Sequence, residues 1–301
     1  MPTKIEWNEE TWNPITGCTP ISEGCRNCYA KSIAHRLAGR FGYPAAPDQF
    51  KVTLHPDNLD QPDHWKKPRK VFVCSMGDLF HEDVPEEFII DILITIAANG
   101  PCYLSQTEYD PIGKFWPGHT FQILTKRPER MMEIIENFSW ELDNFASGNF
   151  REILEWYMTD YGHLLPHLHL GVTAENQQAA DERIPWLLKT PAAVRFVSVE
   201  PMLGPMDIRK FLSPGADGLP EEMNCYHDWL DWVICGGETG PGAREMKTKW
   251  AMDLYEQCSD AGVPFFFKKP GDAFTGDIHD LPMENGEFVR QYLKEVIHAA
   301  S

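Results

Sequence analysis

The sequence predicts an α/β protein, a partial or complete parallel (β/α) barrel of about six or seven βα units. Three observations carry this expectation. Short β-branched or aromatic runs alternate with helix-like stretches along most of the 301 residues. That is the pattern of a parallel sheet with helices on its faces. No break in composition divides the chain, so a single domain, 1–301, is expected, with an insertion near 138–162 and a tail at 270–301. The runs also end in polar or charged residues, as they would where barrel strands meet at one carboxyl-terminal rim.

In chain order, a short strand is expected near Thr11 to Ile15, then an irregular loop carrying Pro14, Gly17, Pro20 and Gly24. A helix near 29–40 and an extended proline-rich segment to 70 come next. KVFVCSM (70–76) is an apolar β-branched run and reads as a buried strand. Behind Pro85 and Glu86, the apolar residues Phe88, Ile89, Ile92, Leu93 and Ile96 recur at helical spacing. Residues 100–118 read as a Pro- and Gly-rich surface loop. HTFQILTKRP (119–128) is a strand, followed by a helix from Glu129 to Glu136, and 138–162 reads as an aromatic, acidic helical insertion. HLHLGVTAEN (167–176) is a strand with a helix to about Lys189, and AVRFVSVEP (193–201) is the next strand. A loop at 213–228 precedes the strand within WLDWVICGGETG (229–240), a helix from Thr248 to Ala261 and the strand VPFFFKK (263–269). In the tail, a Gly- and Asp-rich loop and then a helix from Glu287 to Ala300 are expected.

Composition limits the function. Asp plus Glu is 45 against 27 Lys plus Arg, a formal net charge of −18. The far field of such a protein repels polyanions, so any nucleic-acid contact needs a local basic patch. No run of 18 apolar residues occurs, so no membrane span is expected. No secretory leader is visible, and a reduced, cytoplasmic protein is the expectation.

Of eight cysteines, Cys18, Cys25 and Cys28 fall within eleven residues of the irregular loop. Cys74 and Cys235 end apolar runs and read as buried small hydrophobes. The clustered trio has three readings. They are unrelated surface thiols, which reactivity disfavours; a zinc site, which has one C-x2-C but no second, with His35 as the available fourth ligand; or the ligands of a 4Fe-4S cluster with one iron left open.

At the rim the sequence offers Asp78, Lys126, Thr173, Glu175, Glu200, Glu238 and Lys268, with Gly236 and Gly237 suited to close approach of the backbone to a ligand. Arg244 and Lys268 are candidates to meet an anionic substrate, or else are rim ion pairs.

Three cysteines in a loop after the first strand of such a barrel resemble the radical S-adenosylmethionine superfamily. Tyr29-Ala30 after the third cysteine resembles its spore photoproduct lyase branch. The longer strings TWNPITGCTPISEGCRNCYA (11–30), VFVCSMGDLFHEDVP (71–85), ILTKRPERM (123–131), LGVTAENQ (170–177), RFVSVEPMLGPMDI (195–208), WVICGGETGPGAR (232–244) and VPFFFKKPG (263–271) are similar to a phage and prophage family of unassigned activity known by a three-Cys motif. The cysteine spacing here is C-x6-C-x2-C, whereas the common superfamily spacing is C-x3-C-x2-C.

The resemblance implies a radical SAM-type barrel whose 4Fe-4S cluster is held by Cys18, Cys25 and Cys28. It implies an open iron that chelates S-adenosyl-L-methionine, an external electron donor, and hydrogen abstraction from a substrate. It places Asp78 at the methionyl ammonium and Lys126 and Thr173 at the carboxylate. Glu175 or Glu200 would then meet the ribose, and Glu238, Arg244 and Lys268 the substrate. The substrate expected on this basis is a nucleotide or nucleic-acid base, in phage-type modification or repair inside the host cytoplasm, with or without a partner protein. The competing readings are a non-enzymatic zinc-stapled binding module and a hydrolase using rim Glu and Lys residues.

Overall fold

The computed structural model describes residues 5–104, 114–145, 165–213 and 229–293. Its centre is one seven-stranded sheet: β1 (Glu10–Trp12), β2 (Lys70–Val73), β3 (Thr120–Thr125), β4 (Leu168–Thr173), β5 (Val194–Val199), β6 (Trp232–Cys235) and β7 (Phe265–Phe267). Every neighbouring pair is parallel and the spatial order is the chain order. Among the described residues no pairing joins β1 to β7, so the sheet is a curled half-barrel rather than a closed one.

Helices α1 (Tyr29–Leu37), α2 (Glu86–Ala98), α3 (Pro128–Phe145), α4 (Gln177–Lys189) and α5 (Thr248–Asp260) fall in the crossovers. The main core lies between sheet and helices. There Val71, Val73, Ile123, Leu170, Val172, Val197 and Val199 meet Ile89, Ile92, Leu93, Ile184 and Leu254.

The concave face carries the alternate residues of each strand. Strand register puts Leu124, Gly171, Phe196 and Trp232 in one row, and Thr173, Ser198, Ile234 and Phe266 in the next. Trp7 enters this face from the N-terminal segment and packs edge-on against Phe72, Phe196 and Trp232, with ring centroids 5.0, 6.0 and 6.1 Å away. Such contacts contribute about 0.5–1.5 kcal/mol each beyond burial. Gly171 is what makes room for Phe196: a Cβ there would lie 2.4 Å from Phe196 Cζ.

Several expectations need correction. Pro14 cannot donate to a ladder, so the first strand stops at Trp12, and Ile15–Thr16 pairs antiparallel with Thr53–Leu54 instead. The loop at 100–118 contains an antiparallel pair, Cys102–Leu104 with Lys114–Trp116, and 105–113 lie outside the described residues. Helix α3 runs on to Phe145, since no Gly or Pro interrupts 129–145; the rest of the supposed insertion, from 146, lies outside the described residues, as do 214–228 of the expected loop. The tail does not begin a helix at Glu287. Asn285 and Gly286 both take positive φ (54° and 83°), turning the chain into a hairpin of Met283–Glu284 with Glu287–Phe288. Asn-Gly is the dipeptide such turns favour. Arg290 then bridges to Phe266, and 294–301 lie outside the described residues. Among the described residues no helix is long and apolar enough to cross a membrane.

Replacing Gly171 by Ala drives a methyl into the Phe196 ring. Overpacking of this kind typically costs about 1–3 kcal/mol, so Gly171→Ala is expected to lower the urea midpoint while leaving far-ultraviolet dichroism unchanged. An unchanged midpoint would show that the Phe196 ring can move aside.

Candidate functional site

The strands deliver their last residues to one end of the half-barrel, and the loop from Cys18 to Cys28 lies over that end. Between them is a cavity of about 280 Å³. Its walls include all three loop cysteines, together with Asp78, Lys126, Thr173, Glu200, Glu238 and Lys268. Residues 122 positions apart in sequence, Asp78 and Glu200, thus share one wall. Glu175 and Arg244 stand behind the wall rather than on it.

Three arginine–carboxylate pairs pin the loop. After β2, Asp78 is 6% exposed and receives the Arg127 guanidinium on Oδ2 at 3.1 Å. Arg127 also reaches Glu82 Oε1 at 2.8 Å, the Thr19 carbonyl at 3.3 Å and Cys18 Sγ at 3.6 Å. After β4, buried Glu175 accepts from Arg183 of α4 at 2.8 Å and from the Gly24 N–H of the loop at 3.4 Å. After β6, Glu238 accepts from Arg244 Nη2 and Nε at 2.5 and 2.9 Å and from Asn27 Nδ2 at 2.9 Å. Arg244 also pairs with Glu23 at 3.2 Å. His81 adds a fourth tie, accepting the Thr19 N–H at 3.2 Å.

These contacts give Asp78 a different task from the one expected. Oδ1 takes the Phe80 N–H at 3.1 Å and the Thr125 hydroxyl at 2.7 Å, and Oδ2 takes the Lys126 N–H at 3.2 Å as well as Arg127. A carboxylate has about four acceptor sites, so Asp78 has none left for an ammonium. Glu238 is similarly engaged. Glu200 differs: Oε1 pairs with Lys268 at 3.0 Å, both groups half-buried, and Oε2 makes no hydrogen bond among the described residues. The Lys126 ammonium also forms no hydrogen bond or ion pair among the described residues. Thr173 is buried beside Ser198, its register partner, on the cavity wall.

The electrostatics follow these contacts. Burial, and then Asp78, push the Cys18 thiol up to about 11, against the pull of Arg127. Burial also acts to raise Cys25, but backbone N–H groups, Lys126 and Ser22 outweigh it, and its thiol lies below the ordinary value. Cys25 Sγ is 3.7 Å from Ser22 Oγ. Arg244, and then Asn27, hold Glu238 down at about 2 despite its burial. Cys74 and Cys235 are buried, as expected, and burial raises both thiols. Cys18, Cys25, Cys28, Cys74, Cys235 and Cys258 are all free thiols.

Among the described residues no three His, Cys, Asp or Glu side chains converge as ligands for one metal ion. The three loop thiols nevertheless share a cavity wall with Lys126 and Arg127, and these cations offset the charge that three thiolates would bring. Three cysteine thiols are the donor type by which an iron–sulfur cluster would be held. Gly237 lines the cavity, and its backbone is also hemmed in from another side. A Cβ there would lie 1.9 Å from the Pro270 carbonyl, so the loop after β7 requires glycine at this position.

Reasoning from sequence missed Arg127, Arg183, Asn27 and Ser198. A buried acid requires a partner, and Arg183 and Arg244 follow Glu175 and Glu238 by eight and six residues, a signal within reach. The Arg127–Asp78 and Asn27–Glu238 contacts span 49 and 211 residues and have no local signal.

Fold and site together define an α/β half-barrel roofed at its carboxyl-terminal mouth by a three-cysteine loop. The chain belongs to the family described as Protein of unknown function (DUF5131), whose model matches residues 2–107 and 110–293. No curated protein and no solved structure matches it.

The pH dependence of the Glu238–Arg244 tie has a definite sign. With its folded value depressed to about 2 from 4.5, Glu238 adds stability that is complete above pH 4.5 and lost as pH falls through about 2. The gap in urea midpoint between the parent protein and Arg244→Met is therefore expected to be widest at neutral pH and to narrow with acid. A gap independent of pH would mean that Arg244 acts by packing alone.

Proposed function

We propose that this protein is a radical S-adenosylmethionine enzyme, with Cys18, Cys25 and Cys28 as the only cysteine ligands of a 4Fe-4S cluster. The observation that supports the reading best is that all three thiols line one cavity with Lys126, Thr173 and Glu200 at the strand ends. When bound, the cluster and S-adenosyl-L-methionine would supply an electron-driven cleavage of the sulfonium, yielding a radical able to take hydrogen from an unactivated C–H bond. The chain's own part is to bind, orient and shield. Lys126, its ammonium unengaged, would donate to the methionyl carboxylate, with Thr173 and Ser198 as neighbouring hydroxyls. Glu200, with a free oxygen, is the wall carboxylate left for the ammonium or ribose, since Asp78 holds the loop. Lys268 would exchange Glu200 for an anionic group of the substrate, a nucleotide or nucleic-acid base in this reading. Trp7 and Phe72, which line the cavity and pack on Phe196, would help to shield it from water.

Anaerobic reconstitution with iron and sulfide is expected to give a brown protein that releases 5′-deoxyadenosine from S-adenosyl-L-methionine when a reductant is added. Single alanine replacements at Cys18, Cys25 and Cys28 should each abolish iron retention, whereas Cys74→Ala and Cys235→Ala should keep it. Stoichiometric zinc without visible absorption would overturn the reading.

Lys126→Met tests the cofactor contact separately. Loss of a charged partner in a partly dry site typically costs about 2–5 kcal/mol, or roughly 30- to 4000-fold in affinity. Calorimetric titration should find this loss with iron content unchanged. An affinity within a few-fold of the parent would remove Lys126 from the site.

A further inference from the structure

We infer that α1 and the loop after it form a docking surface for single-stranded nucleic acid beside the cavity mouth. Between Gly24 and His55 the chain carries five Lys or Arg residues, Arg26, Lys31, Arg36, Arg40 and Lys51, against a single acid, Asp48. The whole protein has a formal net charge of −18, so this stretch runs against the composition of everything around it. All five cations are exposed. None of the five makes a salt bridge among the described residues, whereas Arg69, Arg127, Arg183, Arg209, Arg244 and Arg290 all do.

The fold gathers these charges. Helix α1 buries Ala30 and Ala34 and turns Lys31, His35 and Arg36 to solvent. The Gln49 amide donates to His35 Nδ1 at 3.0 Å, and the Cys18 N–H donates to the Phe50 carbonyl at 3.1 Å. These bonds bring the Lys51 segment against both the helix and the cysteine loop. Tyr29, which opens the helix, lines the cavity.

The surface also shows apolar rings to water. Phe41 is 83% exposed and Tyr29 52%. Phe41 holds a φ of 52°, between Gly39 and Gly42 at 71° and 82°. A bulky residue takes that conformation at some energetic cost, and here the result is a ring projecting into solvent. Unpaired cations interleaved with exposed rings are how proteins bind single strands, with phosphates on the charges and bases stacked on the rings. A duplex offers no free base faces to those rings. Salt screens the distant acids within about 8 Å at physiological ionic strength, so the local patch governs the contact. The preference for nucleic acid over other polyanions rests on the proposed reading of the cavity as a nucleotide- or base-modifying site; the charge pattern stands without it.

The probe is fluorescein-labelled oligothymidylate of about twelve nucleotides, within the roughly 4–16 that single-strand sites span, read by anisotropy on the full chain. Four to five phosphate contacts at about 0.7 each predict log K falling against log salt with a slope of about −3. Arg36→Glu with Arg40→Glu is expected to weaken binding at least tenfold and flatten the slope by about 1.4. Phe41→Ala should weaken it about tenfold with the slope unchanged. Lys66→Glu with Lys67→Glu, a charge reversal before β2 and away from the mouth, should leave affinity within twofold. Cys25→Ala should bind like the parent, which separates this surface from the radical chemistry: intact binding by a protein that never forms a cluster defeats only the proposed function. The inference is overturned if oligothymidylate does not bind at 50 mM salt (about a 14 Å screening length) or if the Arg36/Arg40 reversal has no effect. It is equally overturned if the duplex of the same length binds as tightly, or if phosphatidylserine vesicles bind and the oligonucleotide does not.

Discussion

The site depends on neutralising acids that the strands deliver to the mouth. Asp78, Glu175 and Glu238 are buried, and an unpaired charge there would be prohibitive. Each is met by an arginine, and each arginine or acid also touches the cysteine loop. A buried ion pair is weak evidence of stability, since desolvation offsets most of its attraction. Its value here is positional. The loop from Cys18 to Cys28 carries Pro20 and Gly24 and has only a single 3₁₀ turn, Glu23–Cys25, of its own. Ties at Thr19, Gly24 and Asn27 are what give it a fixed place over the sheet.

The concave face changes character along its length. Its lower part holds Phe72, Phe196 and Trp232 packed with Trp7, a buried cluster of rings. One further row toward the mouth holds Thr173 and Ser198 beside Ile234 and Phe266, and beyond it stand Glu200 and Lys268. Side chains alternate between faces at every residue of a strand, so the same strands supply the helix-facing core without compromise. Trp7 and Phe72 belong both to the ring cluster and to the cavity lining.

Much of the fold was legible because parallel strands are written locally. VFV, ILT, LGV, FVSV, WVIC and FFF each carry enough β-branched or aromatic character to stand alone, and the helices between them have apolar residues at helical spacing. The errors came where one residue type overrode a trend. Pro14 cut the first strand short, and Asn285-Gly286 turned an apparent helix start into a hairpin. The gathering of Cys18, Cys25, Cys28, Lys126, Thr173 and Glu200 around one cavity could be anticipated because strand ends share a rim. The task of Asp78 could not, because it is decided by Arg127 and Thr125, residues that read as an ordinary strand end.

The chain order of the sheet has a consequence for synthesis. The cysteine loop is made first, while its ties come from residues 127, 183 and 244, each from a later unit of the sheet. At roughly 5–20 residues per second, the interval between translation of Cys28 and of Arg244 is roughly 10–40 s. Throughout that interval the three thiols lie on a segment with no finished roof support, open to oxidants, metal carriers and chaperones alike. The ribosome thus sets how long the loop waits for its last tie, which Arg244 supplies.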